Sequence, residues 1–276
     1  MEYKRILTMQ DISCFGQCSL TVALPILSAC KVETVILPSA VLSTHTGGFS
    51  GFTFRDLTED IPLIINHWEK EGIAFDNFYT GYLGSLTQIE QVKDITKRLL
   101  KKQGKLIVDP AMGDNGKLYS IFDLTYAKEM AKLCAEADII LPNITEACFM
   151  TGLECKETYD ETYVDELLNA LNKMGAKTVV LTGVSYNSQT TGVVVYENGK
   201  KDYYEHKKID RGCHGTGDIY SSAFVGAYTN GKTIFESAKI SADYTLKCIE
   251  NTQGDKNHWY GAKFETALDF LIKSLT

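Results

Sequence analysis

A chain of 276 residues can bury the core of one large α/β domain and is short for two, so residues 1–276 are read as a single domain. With 44% hydrophobic and 23% charged residues and only 5 prolines, the composition excludes a disordered or linker-rich protein. A net charge of −7 argues against binding nucleic acid through its phosphates, and no apolar run approaches the ~20 residues that span a bilayer.

Met1 to Gln10 runs directly into a strand without a secretory pattern, so a cytoplasmic location is expected. The 8 cysteines include no CxxC pair and no zinc-like spacing, and read as reduced, packed thiols. Arg5 to Gln10 reads as a first strand, Leu20 to Ala29 as a helix and Val32 to Leu37 as a second strand, a βαβ opening that implies a parallel sheet. Asp60 to Glu71 is a helix, Phe75 to Tyr82 contains a strand, and Ser85 begins a helix with Ile89, Val92, Ile95 and Leu99 on one face. The strand Lys105 to Val108 ends at Asp109, a helix covers about Thr125 to Ala137, and Asp138 to Leu141 is again a strand. The helix Asp160 to Met174 precedes the strand Thr178 to Leu181. Gly192 to Tyr196 and Asp202 to His206, joined through Asn198-Gly199, predict an antiparallel hairpin at one sheet edge. Helices Thr216 to Thr229, Thr233 to about Asn251 and Lys263 to Leu275 complete a three-layer α/β/α sandwich on a mostly parallel sheet.

Ligands of open parallel sheets sit beyond the carboxyl ends of the strands. There the sequence places Asp11, His45-Thr46-Gly47-Gly48, Gly81-Tyr82, Asp109, Asn143 with Glu146, and Thr182-Gly183, with Asp218 heading a helix. Gly215-Thr216-Gly217 before that helix exposes backbone N–H groups at its positive end, and a carboxylate beside such an anion site is sensible as a proton acceptor or metal ligand. The alternative is a tight turn capped by Asp218. Asp109, Asp114 and Glu146, with Asn143 as a neutral oxygen donor, have the hard ligands that Mg²⁺ uses with nucleotide phosphates, although Asn143 and Glu146 also fit a capping box. Asp114 to Tyr119 reads either as a flap over a nucleotide or as a surface turn.

Six motifs in order resemble the vitamin kinases of the ribokinase superfamily, with pyridoxal kinases nearest. They are Gln10-Asp11 through Gly16, Ser43-Thr44-His45-Thr46-Gly47, Gly81 to Ser85, Asp109 to Asp114, Pro142-Asn143-Ile144-Thr145-Glu146, and Gly215-Thr216-Gly217-Asp218. The resemblance implies ATP-dependent phosphorylation of the 5′-hydroxymethyl group of pyridoxal, pyridoxamine or pyridoxine. Asp218 would be the base and Gly215, Thr216 and Gly217 the anion hole. It assigns Asp109, Asn143 and Glu146 to Mg²⁺, and Asp114, Tyr119, Thr182 and Thr216 to ATP. Asp11, His45, Thr46, Gly47 and Tyr82, with Phe49 nearby, fall around the substrate ring, and a homodimer is implied; whether a monovalent cation assists is left open.

This chain has Asp11 where many members carry Ser, so the carboxylate would pair with a protonated ring nitrogen or accept from a hydroxyl. It departs from the family pattern over Cys14 to Leu20 and carries Gly183 where a hydroxyl is common. Cys213 is weighed as a thiol adding reversibly to an aldehyde substrate against a packed thiol. The rival activity is hydroxymethylpyrimidine or phosphomethylpyrimidine phosphorylation in thiamine synthesis, a branch that usually has Cys at the place of Asp218. A sugar or nucleoside kinase usually inserts a lid where this chain has one helix between Asp11 and Val32, and a non-catalytic B6-binding protein would not need the aligned base.

Overall fold

The computed structural model describes residues 3–209 and 213–276, so Met1 and Glu2 of the expected N-terminal segment lie outside the described residues. The first half runs β1 (Arg5–Phe15), α1 (Leu20–Ala29), β2 (Glu33–Thr44), β3 (Phe54–Asp56), α2 (Ile61–Lys70), β4 (Phe75–Thr80), α3 (Leu86–Leu99) and β5 (Leu100–Val108). A small hairpin, β6 (Gly113–Asp114) and β7 (Lys117–Leu118), leads to α4 (Leu124–Glu136), β8 (Ile139–Ile140), α5 (Ile144–Thr151), α6 (Glu161–Met174) and β9 (Thr178–Val184). The hairpin β10 (Thr190–Glu197) and β11 (Lys200–Lys207) precedes α7 (Thr216–Thr229), α8 (Ile234–Thr252), a 3₁₀ turn (Phe264–Ala267) and α9 (Leu268–Ser274).

The main sheet has the order β11-β10-β9-β8-β5-β4-β1-β2-β3. Its centre, from β9 to β2, is parallel, and both edges are antiparallel. The β10–β11 hairpin stands at its expected edge, with Asn198 and Gly199 at φ 52° and 76°, the left-handed pair that a two-residue turn requires. Strand β3 at the other edge was not anticipated. Its residues, Phe54 to Asp56, are all exposed and give no alternating pattern.

Alternation along the strands makes the layers. Leu106 and Val108 of β5, Val179 and Leu181 of β9 and Val194 of β10 face one core with α2, α3, α4 and α6. Ile107, Val180, Val193 and Val195 face the other, under α1, α7, α8 and the C-terminal turns. Both sheet faces are covered, as parallel strands require.

Several expected strands fall short of the observed ones: β5 begins at Leu100 rather than Lys105, and β9 runs on to Val184 rather than Leu181. β1 continues past Gln10 and β2 past Leu37, and the added residues pair as Ile12 with Val41 and Phe15 with Thr44. The register shifts between Gln10 and Ile12, beside Pro38, which is where the apolar pattern breaks. The long C-terminal helix expected from Lys263 instead starts as the 3₁₀ turn before α9. No helix among the described residues is long and apolar enough to cross a membrane.

Candidate active site

A cleft of ≈ 950 Å³ opens beyond the carboxyl ends of the parallel strands and gathers every candidate residue: Asp11, His45, Thr46, Gly47, Tyr82, Asp109, Asp114, Tyr119, Asn143, Glu146, Thr182 and Gly215 to Asp218. Asp218 stands in the first turn of α7, whose N-cap is Gly215 at φ 76°. No side chain caps that helix, so the turn-capping alternative for Asp218 does not describe it. A side chain at Gly215 would collide with the carbonyl of Gln17, which explains the glycine, while a Cβ at Gly217 would meet open space.

Burial, reinforced by the charges of Asp109 and Asp11, pushes the Asp218 carboxyl up to about 7, against the opposing backbone N–H of Ser19. Ser19 donates from a left-handed backbone, φ 56°, unusual for a residue with a side chain. The sequence holds no signal for this contact.

On one side of Asp218 the site is built from turns and helix ends. Asp109 accepts from Ser221 Oγ at 2.6 Å and from the Ala111 N–H at 3.2 Å, and burial pushes it up to about 6. Glu146 accepts the N–H groups of Met112 at 3.0 Å and Asn143 at 2.9 Å. Burial and then the charge of Asp109 hold Glu146 well above the usual carboxylate range. The capping box is real: Asn143 Oδ1 accepts the Glu146 N–H, and Asn143 Nδ2 donates to the Gly113 carbonyl at 2.9 Å.

The stretch Asp114 to Tyr119 is the β6–β7 turn, tied down by the Gly116 N–H on Thr145 Oγ1 at 2.9 Å and the Tyr119 N–H on the Met112 carbonyl. Among the described residues no lysine or arginine pairs with Asp109 or Glu146. Nor does any group of three or more His, Cys, Asp and Glu gather as a metal cage among them. Two buried, mutually repelling carboxylates without a basic partner are nevertheless a donor pair suited to a hard cation.

On the other side the walls are side chains. Asp11, 5% exposed, accepts from Ser13 Oγ at 2.8 Å and from the Ser19 hydroxyl. His45 receives the Gly47 N–H at Nδ1, 3.1 Å, so its Nε2–H donates to the Tyr260 carbonyl at 2.7 Å. This neutral tautomer agrees with burial holding its pKa low. Phe49 lies 5.0 Å from the His45 ring and 4.6 Å from Trp259, and Phe15 lies 4.8 Å from Tyr260.

Sequence reasoning missed Ser19, Ser221, Trp259 and Tyr260, along with Thr191 to Val193, Ala242, Thr245 and Ile249, which line the same cleft or back it. An aromatic pair in His258-Trp259-Tyr260-Gly261 was the one available signal. Cys213 and Cys18 are both partly buried and line the cleft, and burial with the charges of Asp218 and Asp11 keeps the Cys18 thiol protonated.

Residues 67–262 match the phosphomethylpyrimidine kinase family. The chain is 29% identical over 240 residues to a pyridoxal kinase of Dictyostelium discoideum, covering 80% of this chain and 77% of that one. A candidate phosphomethylpyrimidine kinase of Bacteroides thetaiotaomicron, in a crystal form with pyridoxal, superposes with a TM-score of 0.92 at 34% identity, covering 98% of this chain and 96% of that one. The pyridoxal kinase of Lactobacillus plantarum superposes with a TM-score of 0.90 at 29% identity over 99% of this chain and 98% of its own. With the motifs, the doubly covered parallel sheet and a half-buried carboxylate at an uncapped helix N-terminus, these likenesses identify a phosphotransferase acting on an alcohol: the chain belongs to the phosphomethylpyrimidine kinase family, among the ribokinase-like vitamin kinases.

Proposed function

We propose that this kinase transfers the γ-phosphoryl group of ATP to the 5′-hydroxymethyl group of a vitamin B6 vitamer, pyridoxal, pyridoxamine or pyridoxine. The observation that carries the reading is Asp218, a carboxyl pushed up to about 7 at the mouth of an open helix N-terminus. A base of that pKa accepts a hydroxyl proton near neutral pH and releases it again. The N–H groups of Gly215, Thr216 and Gly217 take up charge on the transferred group beside it. Asp114, Tyr119, Thr182 and Thr216 bind the nucleotide phosphates, and Asp11, His45, Thr46, Gly47 and Tyr82 surround the substrate ring.

Asp109 and Glu146 would hold Mg²⁺, which supplies positive charge for the phosphates. Asn143, whose Oδ1 and Nδ2 already serve α5 and the β6–β7 turn, contributes by fixing Glu146. On this reading the whole chain is one kinase domain working in the cytoplasm as a homodimer.

Phosphorylation of hydroxymethylpyrimidine or its phosphate is the second reading, favoured by the family that matches residues 67–262. ATP consumption with each vitamer and with hydroxymethylpyrimidine decides between them. At least one vitamer is expected to exceed the pyrimidine in kcat/KM by about tenfold or more. Turnover of the pyrimidine alone moves the enzyme to the second reading, and vitamer binding without turnover makes it a binding protein.

A further inference from the structure

Asp109, at the tip of β5, holds a donor on each carboxylate oxygen: the Ser221 hydroxyl on Oδ2 at 2.6 Å and the Ala111 N–H on Oδ1 at 3.2 Å. Its own N–H donates to the Thr80 carbonyl of β4 at 2.9 Å. With both oxygens engaged, neither the position nor the plane of this carboxylate is free. The bond from Ser221 has the short length of a hydroxyl on a charged carboxylate. It joins residues only 2% and 8% exposed, where water competes little for it.

Ser221 stands three residues beyond Asp218 in α7, so the two side chains share one face of the helix, a turn apart. That face looks onto the end of β5, since Asp109 is bonded to Ser221 and its charge reaches Asp218. The first turn needs an anchor: no side chain caps it, and Gly215 and Gly217 loosen it. Thr216 Oγ1 donates back to the Cys213 carbonyl at 3.3 Å, and the Tyr220 hydroxyl reaches the Ala238 carbonyl of α8 at 3.3 Å, so neither ties the turn to the sheet. At the far end of α7, Asn77 Nδ2 of β4 donates to Thr229 Oγ1 at 3.0 Å. The helix is thus pinned to the sheet at both ends, and the Ser221 pin lies at the chemistry. Apolar packing of Ile219 and Ala223 buries the helix without fixing its direction, which a hydrogen bond does.

We propose, resting on the reading of Asp218 as base, that Ser221 is a positioning residue for phosphoryl transfer: its hydroxyl, bonded to Asp109, holds the first turn of α7 against the end of β5. Asp218 and the N–H groups of Gly215 to Gly217 all belong to that turn, so base and anion hole are placed together. A small misplacement of such groups costs rate and leaves affinity, because alignment matters most at the transition state. The role is the same for a vitamer and for a pyrimidine acceptor.

Kinetics and amide exchange on the full-length kinase test it. Ser221→Ala is expected to lower kcat by about tenfold, with the KM values for ATP and for the accepted substrate within about twofold. Exchange of the amides from Ile219 to Ser222 should quicken by about tenfold. Ser221→Thr, which keeps the hydroxyl, should return kcat to within about threefold of the unsubstituted enzyme. Thr229→Val cuts the other pin, and should quicken exchange from Tyr228 to Asn230 while leaving kcat unchanged. An unchanged kcat, or unchanged exchange from Ile219 to Ser222, in Ser221→Ala overturns the proposal. An equal fall of kcat in Thr229→Val or in Ser221→Thr does so too, by showing a general loosening of α7. Should Ser221→Ala fail to fold, Ser221→Cys, whose thiol donates weakly, takes its place with the same outcomes. An unsubstituted enzyme that phosphorylates neither a vitamer nor the pyrimidine fails the assigned function instead, so the two failures are told apart.

Discussion

The two halves of the cleft are built from different materials. On the side proposed for the nucleotide the donors are backbone amides: those of Met112 and Asn143 on Glu146, of Ala111 on Asp109, and the uncapped first turn of α7. On the side proposed for the substrate the walls are side chains brought from far apart, Phe15 against Tyr260 and Phe49 against Trp259. Phosphate is a compact charge, and the amides of an uncapped helix end such as the first turn of α7 suffice to hold it, while those of Ala111, Met112 and Asn143 are taken up in fixing the two acids. A flat ring needs faces and edges of matched shape, which backbone cannot supply. Asp218 stands at the boundary, within reach of the charges of both Asp109 and Asp11.

The sharpest way to break this division is at the boundary. Asp218→Asn is expected to lower kcat by at least ~10² while leaving the dissociation constant for ATP within about threefold, measured by single-turnover kinetics and equilibrium titration. Nearly normal turnover would remove Asp218 as the base.

The same residue sets two opposed pH trends. Asp218 and Asp109 have carboxyls pushed up to about 7 and about 6, above the ordinary aspartate value of 3.8, so the folded protein holds these protons more tightly than the unfolded chain. Their contribution to stability is complete below the unfolded pKa and is lost as pH rises through the folded one. Tm of the ligand-free protein should therefore fall from about pH 4 to pH 7, while kcat/KM rises through about 7 as Asp218 becomes a base. A Tm that climbs over that interval would contradict the burial of these acids.

The division also explains what the sequence could reveal. The nucleotide side is made of short motifs whose spacing is its geometry: Asn143 and Glu146 close a capping box and Gly215 caps α7 at φ 76°. The β10–β11 hairpin was legible for the same reason, since Asn198-Gly199 carries its turn in two residues. What escaped depends on distant pairing. The outer halves of β1 and β2 are strands because they pair with each other beyond the break at Pro38, and Ser221 meets Asp109 across 112 positions of chain. Trp259 and Tyr260 lie against Phe49, Phe15 and His45 from the other end of the chain, and no local pattern links them.

A smaller effect is expected within the nucleotide side. Glu146→Gln keeps one oxygen acceptor but sets an amide NH₂ against the N–H of either Met112 or Asn143, and removes one of two acidic donors. The Mg²⁺ concentration giving half-maximal rate should rise by about tenfold, with the vitamer KM unchanged. An equal rise in the vitamer KM would show that the halves are not separable.

Trp259→Ala tests the substrate side at the lowest cost to the fold, because Trp259 is 45% exposed. Its ring backs Phe49 at a centroid distance of 4.6 Å, and Gly48, at φ 81°, lets it approach so closely that a Cβ there would lie 2.8 Å from Trp259 Cζ3. Without the indole, Phe49 loses the surface that orients it, and so does His45, whose ring meets Phe49 edge-on. An aromatic pair of this kind contributes ~1 kcal/mol beyond its buried area, so the vitamer KM should rise by about fivefold, with kcat and the KM for ATP unaltered. Trp259→Phe, which keeps a ring against Phe49, should recover most of that loss. A change in the KM for ATP instead would place Trp259 on the wrong side of the division, since its ring packs on Phe49, Tyr260 and Gly48, in the wall proposed to face the substrate.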